Sequence, residues 1–257
     1  MKSLRRGIRD AVERFAGYEI QRIGSGSFAF IKSAHSVEVW SSYRSQLRAM
    51  LDRLEIDLVI DVGANQGQFA SALRQIYSGE IISFEPVSSA YEKCAQRAAA
   101  DTEWRVFKCA LGEAEAEQPI YVSNRTVFSS LLKANDFSAQ RFGSDAQQST
   151  QEMIRIRRLD EFARETGLAL DGRRIFLKLD TQGYDLNVFR GVGDLLAQVQ
   201  MMQSEVSVTP IYKGMPRWTD VLASYENAGF KVCGMFPVSR DACGVIEFDC
   251  LLARPPA

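Results

Sequence analysis

The residues best placed to do chemistry lie where an apolar run gives way to small ones: Leu58-Val59-Ile60-Asp61-Val62-Gly63-Ala64-Asn65-Gln66-Gly67-Gln68-Phe69. A strand turning through Gly63 and Gly67 into a helix drops Cβ atoms where the chain bends. It lets a ligand approach the main chain and offers the free amides of a helix N-terminus, the make-up of a nucleotide-type site. The dinucleotide fingerprint GxGxxG is not met, because Asn65 stands at its second glycine and would crowd a pyrophosphate. Glu85 follows Asp61 by 24 residues in Ser83-Phe84-Glu85-Pro86. A carboxylate at the end of the second strand accepts ribose hydroxyls in dinucleotides and sulfonium cofactors alike, and Pro86 stops the strand and aims the acid at the first turn. His35 is the single histidine, with an imidazole that titrates near neutrality. One histidine leaves neither a Ser-His-Asp triad nor a HExxH metal site.

These groups need elements to hold them. Trp40, Tyr43, Leu47, Leu51 and Leu54 recur at helical steps after Ser36 and predict an amphipathic helix leading into the core. Strand-length apolar runs then alternate with helical patterns: Asp57 to Val62, Ile81 to Phe84, Trp104 to Ala110, Pro119 to Ser123, Ile175 to Leu179, Val199 to Val206, Lys231 to Val238 and Val245 to Leu252. Such alternation predicts an α/β fold with a parallel sheet covered on both faces. Ser89 and Glu92 have capping-box spacing ahead of the helix around Tyr91. Residues 1–50 read as an N-terminal extension, with a short basic amphipathic helix over 1–15, which also suits peripheral contact with an anionic membrane, and a turn at Gly24-Ser25-Gly26-Ser27 between short strands. Residues 51–257 read as the main domain. The stretch 122–151, rich in Ser, Asn, Gln and Asp, lacks apolar periodicity and predicts a surface excursion or a lid; long loops in α/β domains often cover the ligand, which favours the lid.

Composition narrows the class. Hydrophobic residues make up 46% and charged residues 25% of the 257, the usage of a folded globular protein. With 31 Lys and Arg against 32 Asp and Glu, no global field attracts phosphate backbones, which argues against a nucleic-acid partner. No apolar run reaches the ~20 residues of a membrane-spanning helix. Five cysteines without a CxxC pair predict reduced thiols and a cytoplasmic setting.

Taken together, DVGANQG, the FEP strand end, the Cys109-Ala110-Leu111-Gly112 turn, Lys178-Leu179-Asp180-Thr181-Gln182-Gly183 and the Ser204-Glu205-Val206 strand resemble the FkbM-type family of S-adenosylmethionine-dependent methyltransferases over about residues 40–254. The resemblance implies a Rossmann-like class I methyltransferase fold: a mostly parallel seven-stranded sheet of order 3-2-1-4-5-7-6, its last strand antiparallel, with helices on both faces. It implies methyl transfer from S-adenosylmethionine to a hydroxyl of a sugar, glycolipid or polyketide-like acceptor, a small molecule or a lipid-linked glycan. By that resemblance Asp61, Gly63, Asn65 and Gly67 line the methionine part of the cofactor, Glu85 the ribose, and Cys109 and Ala110 the adenine, with Ala64, Phe69 and Pro86 as further cofactor contacts. Many members read Asp-x-Glu-Gly where this chain has Gln182, which puts in doubt any role of that acid as base or metal ligand.

Methyl transfer to an alcohol is an in-line displacement, so alignment contributes most and a general base adds about 10² to 10⁴ in rate. Asp180, at the end of the fourth core strand, is the candidate base, and Lys178 is a candidate to orient the acceptor or stabilise its alkoxide. Asp185 and Glu205 could join Asp180 as oxygen ligands of Mg²⁺, the weaker expectation for these acids. Tyr184, Ser129, Glu205 and Tyr212 are candidate acceptor contacts, beside Phe128, Ser130, Lys213 and Trp218. An N-methyltransferase would carry an Asn-Pro-Pro-aromatic turn where this chain has Asp180-Thr181-Gln182-Gly183. A nicotinamide-dependent oxidoreductase and a non-catalytic cofactor-binding protein are the alternatives from other classes.

Overall fold

The computed structural model describes residues 18–22, 28–32 and 43–255. His35, Trp40, the helix expected over 1–15 and the turn expected at Gly24 to Ser27 lie outside them. The chain divides into two compact units, Met1–Ala49 and Met50–Ala257. In the first, β1 (Tyr18–Arg22) and β2 (Phe28–Lys32) pair antiparallel, Tyr18 opposite Lys32 and Arg22 opposite Phe28. Helix α1 (Tyr43–Arg53) carries the chain from the first unit into the second.

The second unit alternates strand and helix: β3 (Leu58–Val62), α2 (Gln68–Leu73), β4 (Glu80–Phe84), α3 (Ser88–Ala98) and β5 (Trp104–Phe107). An excursion follows, made of β6 (Ala110–Leu111), β7 (Ala116–Ser123), α4 (Asp136–Phe142) and β8 (Gln148–Arg157). Alternation then resumes with α5 (Leu159–Thr166), β9 (Ile175–Leu179), α6 (Asp185–Arg190), β10 (Val199–Ser207) and α7 (Trp218–Asn227), and closes with the hairpin β11 (Lys231–Arg240) and β12 (Val245–Ala253). Seven strands form the main sheet in the order β11-β12-β10-β9-β3-β4-β5. From β5 to β10 the neighbours are parallel, and β12 runs antiparallel to both of its neighbours. Counted in chain order, the core strands give the expected 3-2-1-4-5-7-6.

The central strands β3 and β9 are buried at every position, as strands covered on both faces must be. Alternate residues separate the two faces. Leu58, Ile60, Val62, Ile82, Phe84, Leu177 and Leu179 join Phe162, Leu186, Phe189, Val221 and Tyr225 of helices α5, α6 and α7 in one large core cluster. The opposite face of the same strands carries Asp61, Ser83 and Lys178, all buried.

One sequence expectation needs correction. The capping box at Ser89 and Glu92 is not formed: α3 begins at Ser88 after Val87, whose side chain makes no cap. Its first amide instead donates to the Glu152 carboxylate of β8, at 3.0 Å, a negative charge at the positive end of the helix. The stretch 122–151, expected as a surface excursion or a lid, carries secondary structure of its own. Its ends belong to β7 and β8, paired antiparallel from Ala116 opposite Ile156 to Ser123 opposite Gln148. Between them, Asn135 caps α4 by accepting from the Ser138 amide, and Gln148 bonds the Ala134 amide and the Leu132 carbonyl. Side chain to backbone bonds hold this segment where apolar periodicity is lacking.

Candidate active site

Register brings the charges of the central strands together. Asp61 of β3 stands opposite Lys178 of β9 and opposite Ser83 of β4. Lys178 Nζ lies 3.1 Å from Asp61 Oδ1, 3.2 Å from Asp180 Oδ2 and 3.4 Å from the Gly63 carbonyl, and 5.2 Å above the Phe69 ring. Ser83 donates to Asp61 and accepts from the Trp104 indole at 2.9 Å. Burial pushes the Asp61 carboxyl up, against the opposing pull of Lys178. Burial alone would pull the Lys178 ammonium down, but Asp180 and Asp61 hold it above its ordinary range. The Lys178 side chain is 4% exposed and that of Asp180 39%, so of this pair the carboxylate faces outward.

The loop after β3 is shaped by close approaches. Gly63 has φ 78°, and a Cβ there would meet the Asp180 carbonyl oxygen at 1.9 Å. Gly67 has φ 80°, and its Cβ would sit 2.8 Å from the Trp104 ring. Both glycines are therefore required by neighbouring protein atoms, a reason separate from ligand approach. The Ala64 amide donates to the Phe84 carbonyl. Asn65 is left-handed, φ 48°, and its amide donates to Glu85 Oε2 at 2.7 Å, while Glu85 Oε1 accepts from Val87 N at 2.8 Å. Burial pushes Glu85 up to about 7, opposed by those two amides. Asn65 Oδ1 accepts from the Thr126 hydroxyl at 2.9 Å, and Asn65 Nδ2 is buried without a partner. Pro86 and Cys109 line a cleft of about 150 Å³ with Lys108, Glu152, Met153, Ile154 and Arg155. Ala110 is buried in a small cluster with Val87 and Ile156.

The turn after β9 gathers the remaining candidates. Gln182 Nε2 donates to Asp180 Oδ1 at 3.0 Å and to Glu205 Oε2 at 2.8 Å, and its Oε1 lies 2.8 Å from the Tyr212 hydroxyl. Tyr212 is buried, and its hydroxyl is also 3.0 Å from the Phe128 carbonyl. Ser130 donates to the Gln182 carbonyl at 2.7 Å, and Ser129 Oγ accepts from the Ser123 amide. Burial, then Asp180, Glu247 and Asp249, push Glu205 well above the carboxylate range.

The structure thus assembles Asp61, Lys178, Asp180 and Glu205 into one connected set reaching Tyr212, and joins Asn65 to Glu85. It does not bring Tyr184 into this set: the ring packs on the main core and at Gly112. Nor does Asp185 face a shared ligand, because its oxygens accept from the Thr181 amide and hydroxyl, the Ser204 hydroxyl and the Glu205 amide. Among the described residues no three His, Cys, Asp or Glu side chains are grouped to hold a metal, so the Asp180, Asp185 and Glu205 ligand set is not formed there. No described helix is long and apolar enough to cross a membrane. Sequence reasoning missed Thr126, Gln182 as a junction, and the acids Glu247 and Asp249. A signal for the last two exists in the sequence: charges at alternate positions of an otherwise apolar final strand.

A family model, the methyltransferase FkbM domain, matches residues 61–232. No curated protein matches the sequence. Among solved structures, the chain is similar to an rRNA methylase from Streptococcus thermophilus at 10% identity and TM-score 0.46, covering 85% of this chain and 99% of that one. It is also similar to the methyltransferase domain of bacterial CtHen1, at 11% identity and TM-score 0.44, covering 82% and 96%. A third is the O-methyltransferase NcsB1 from neocarzinostatin biosynthesis, solved with S-adenosylmethionine and 2-hydroxy-5-methyl naphthoic acid, at 9% identity and TM-score 0.41, covering 86% and 59%. These likenesses are of the fold alone and do not distinguish nucleic-acid from small-molecule acceptors. By the match over residues 61–232, which take in the glycine loop, Glu85 and the Asp180 turn, the chain belongs to the FkbM family of S-adenosylmethionine-dependent methyltransferases.

Proposed function

We propose that the protein transfers a methyl group from S-adenosylmethionine to a hydroxyl of a small sugar, glycolipid or polyketide-like acceptor. The observation that carries this reading is Asp180: a partly exposed carboxylate at the end of β9, steadied by Lys178 and Gln182, whose carbonyl abuts the glycine loop at Gly63. The residues around that loop fit the cofactor. Asn65 Nδ2 is a buried donor without a partner, suited to a methionine carboxylate. Each Glu85 oxygen uses one lone pair on a backbone amide and keeps capacity for ribose hydroxyls. The cleft at Pro86 and Cys109 suits the edge of a planar base.

When bound, the cofactor supplies a methyl group made electrophilic by its sulfonium. Asp61, Gly63, Ala64, Asn65, Gly67 and Phe69 would hold its methionine end and Cys109 and Ala110 its adenine. Asp180 would accept the proton of the acceptor hydroxyl as the oxygen–carbon bond forms and the carbon–sulfur bond breaks. Lys178, enclosed between Asp61 and Asp180, acts by holding both acids in place; Ser129, Glu205 and Tyr212 would bound the acceptor. Calorimetric titration with S-adenosylhomocysteine tests the cofactor reading, with saturable one-to-one binding expected and no heat of binding overturning it. Tritium transfer from labelled S-adenosylmethionine into glycolipid, oligosaccharide and RNA fractions tests the acceptor, label in the RNA fraction alone being the result against it.

A further inference from the structure

Gln182 stands between the acids Asp180 and Glu205 on one side and Ser130 and Tyr212 on the other. Its backbone is left-handed, φ 54°, a conformation uncommon outside glycine and asparagine. Both of its amide protons are committed, one to Asp180 and one to Glu205, and its side-chain oxygen meets the Tyr212 hydroxyl. Its carbonyl accepts from Ser130, and Tyr212 reaches on to the Phe128 carbonyl. On the far side, Thr126 bonds Asn65 of the glycine loop. The segment 126–130 is therefore a strap tied at one end to the loop after β3 and at the other to the turn after β9.

Lifting the strap takes Ser130 from the Gln182 backbone carbonyl and the Phe128 carbonyl from the Tyr212 hydroxyl, the group that faces the Gln182 side-chain oxygen. A Tyr212 hydroxyl no longer anchored at Phe128 holds the carboxamide oxygen less firmly, and rotation of the carboxamide strips its two donors from Asp180 and Glu205. We propose that Gln182 is a positioning residue that makes the seating of the 126–130 strap and the arrangement of the Asp180 and Glu205 carboxylates a single equilibrium. The catalytic consequence rests on Asp180 being the proton acceptor; the coupling itself does not. A glutamate at 182 would lack the two donors and, facing two acids, would form such contacts only when protonated. The charged and titratable groups facing this position are Asp180 and Lys178 from β9, Asp185 from α6, Glu205 from β10, Tyr212, and Glu247 and Asp249 from β12.

Hydrogen–deuterium exchange on the ligand-free protein tests the coupling, read as protection of the Phe128, Ser129 and Ser130 amides relative to their intrinsic rates. Gln182→Ala and Tyr212→Phe are expected to lose at least tenfold of that protection at both pH 6 and pH 8. Gln182→Glu is expected to lose it at pH 8 and regain most of it at pH 6, a return that a merely packing role would not produce. Wild-type protection in Gln182→Ala, or a Gln182→Glu that matches Gln182→Ala at both pH values, overturns the proposal. Should a Gln182 variant fail to fold, as judged by lost protection in β3 and β9, Tyr212→Phe decides alone, and unchanged strap protection refutes the coupling. Because no cofactor is present in this measurement, failure to bind S-adenosylhomocysteine is scored separately.

Discussion

Glu85 and Lys178 show how burial sets the behaviour of single groups here. Glu85 is pushed up to about 7 by burial, so the ligand-free protein carries its proton over part of the neutral range. Ribose hydroxyls bind the ionised form, and linkage then makes S-adenosylhomocysteine affinity fall by up to about tenfold per pH unit below about pH 7. Glu85→Gln is expected to weaken binding by roughly 10- to 100-fold, the worth of about 1.5–3 kcal/mol for hydrogen bonds to a charged acceptor, and to flatten that pH dependence; titrations at pH 6 and 8 read both. Lys178→Met leaves Asp61 without its cation inside the sheet. Removing one partner of a buried pair destabilises by about 3–5 kcal/mol. Because burial raises the Asp61 carboxyl, the loss, measured by urea unfolding, is expected to shrink as pH falls and Asp61 takes up a proton. Adding Asp61→Asn should recover part of it. Equal stability of Lys178→Met and the parent would remove Lys178 from the structural role assigned to it.

At the scale of elements, the glycine loop and the excursion are built on different physics. Gly63 turns β3 into its loop while touching the end of β9, so a methyl group there collides with backbone that cannot yield, besides occupying φ 78°. Gly167, at the C-terminus of α5, has φ 68° but nothing within 4 Å. Gly167→Ala is therefore expected to destabilise by only the left-handed penalty, about 1 kcal/mol, and Gly63→Ala by about 3 kcal/mol or more, as strain and overpacking add. Comparable unfolding midpoints for the two variants would show that the loop relaxes freely. The strand-and-glycine pattern was plain in the sequence because it is local. The bonding that orders the excursion was not, because it runs from Asn135, Gln148 and Ser130 to backbone groups across it and from Glu152 to the start of α3, 64 residues away.

For the whole molecule, the buried acids give stability a definite pH profile. Burial raises Glu85 to about 7 and Asp249 to about 6, and raises Asp61, Asp185, Glu205 and Glu247 above their ordinary values. Between roughly pH 4 and 7 the folded chain thus binds more protons than the unfolded one, so these groups stabilise the fold below their unfolded values and lose that contribution as pH rises. Glu80 and Asp160, lowered by arginine partners despite burial, act in the opposite sense at lower pH and are fewer. Calorimetry is expected to find a Tm several degrees higher near pH 5.5 than at pH 8; a Tm that rises across that interval contradicts the profile. What the sequence determined by itself was the strand-by-strand alternation, the glycine bend and the acids at strand ends, because burial on both faces, tight turning and strand termination each leave a short-range mark. Only the tertiary structure decided that Asp61 and Lys178, 117 positions apart, face each other in register, that Gln182 stands between two acids, and that a polar, aperiodic segment straps the loop to the turn. Each of these depends on which strands become neighbours, and sheet order is set by packing of the whole chain and not by any single stretch of it.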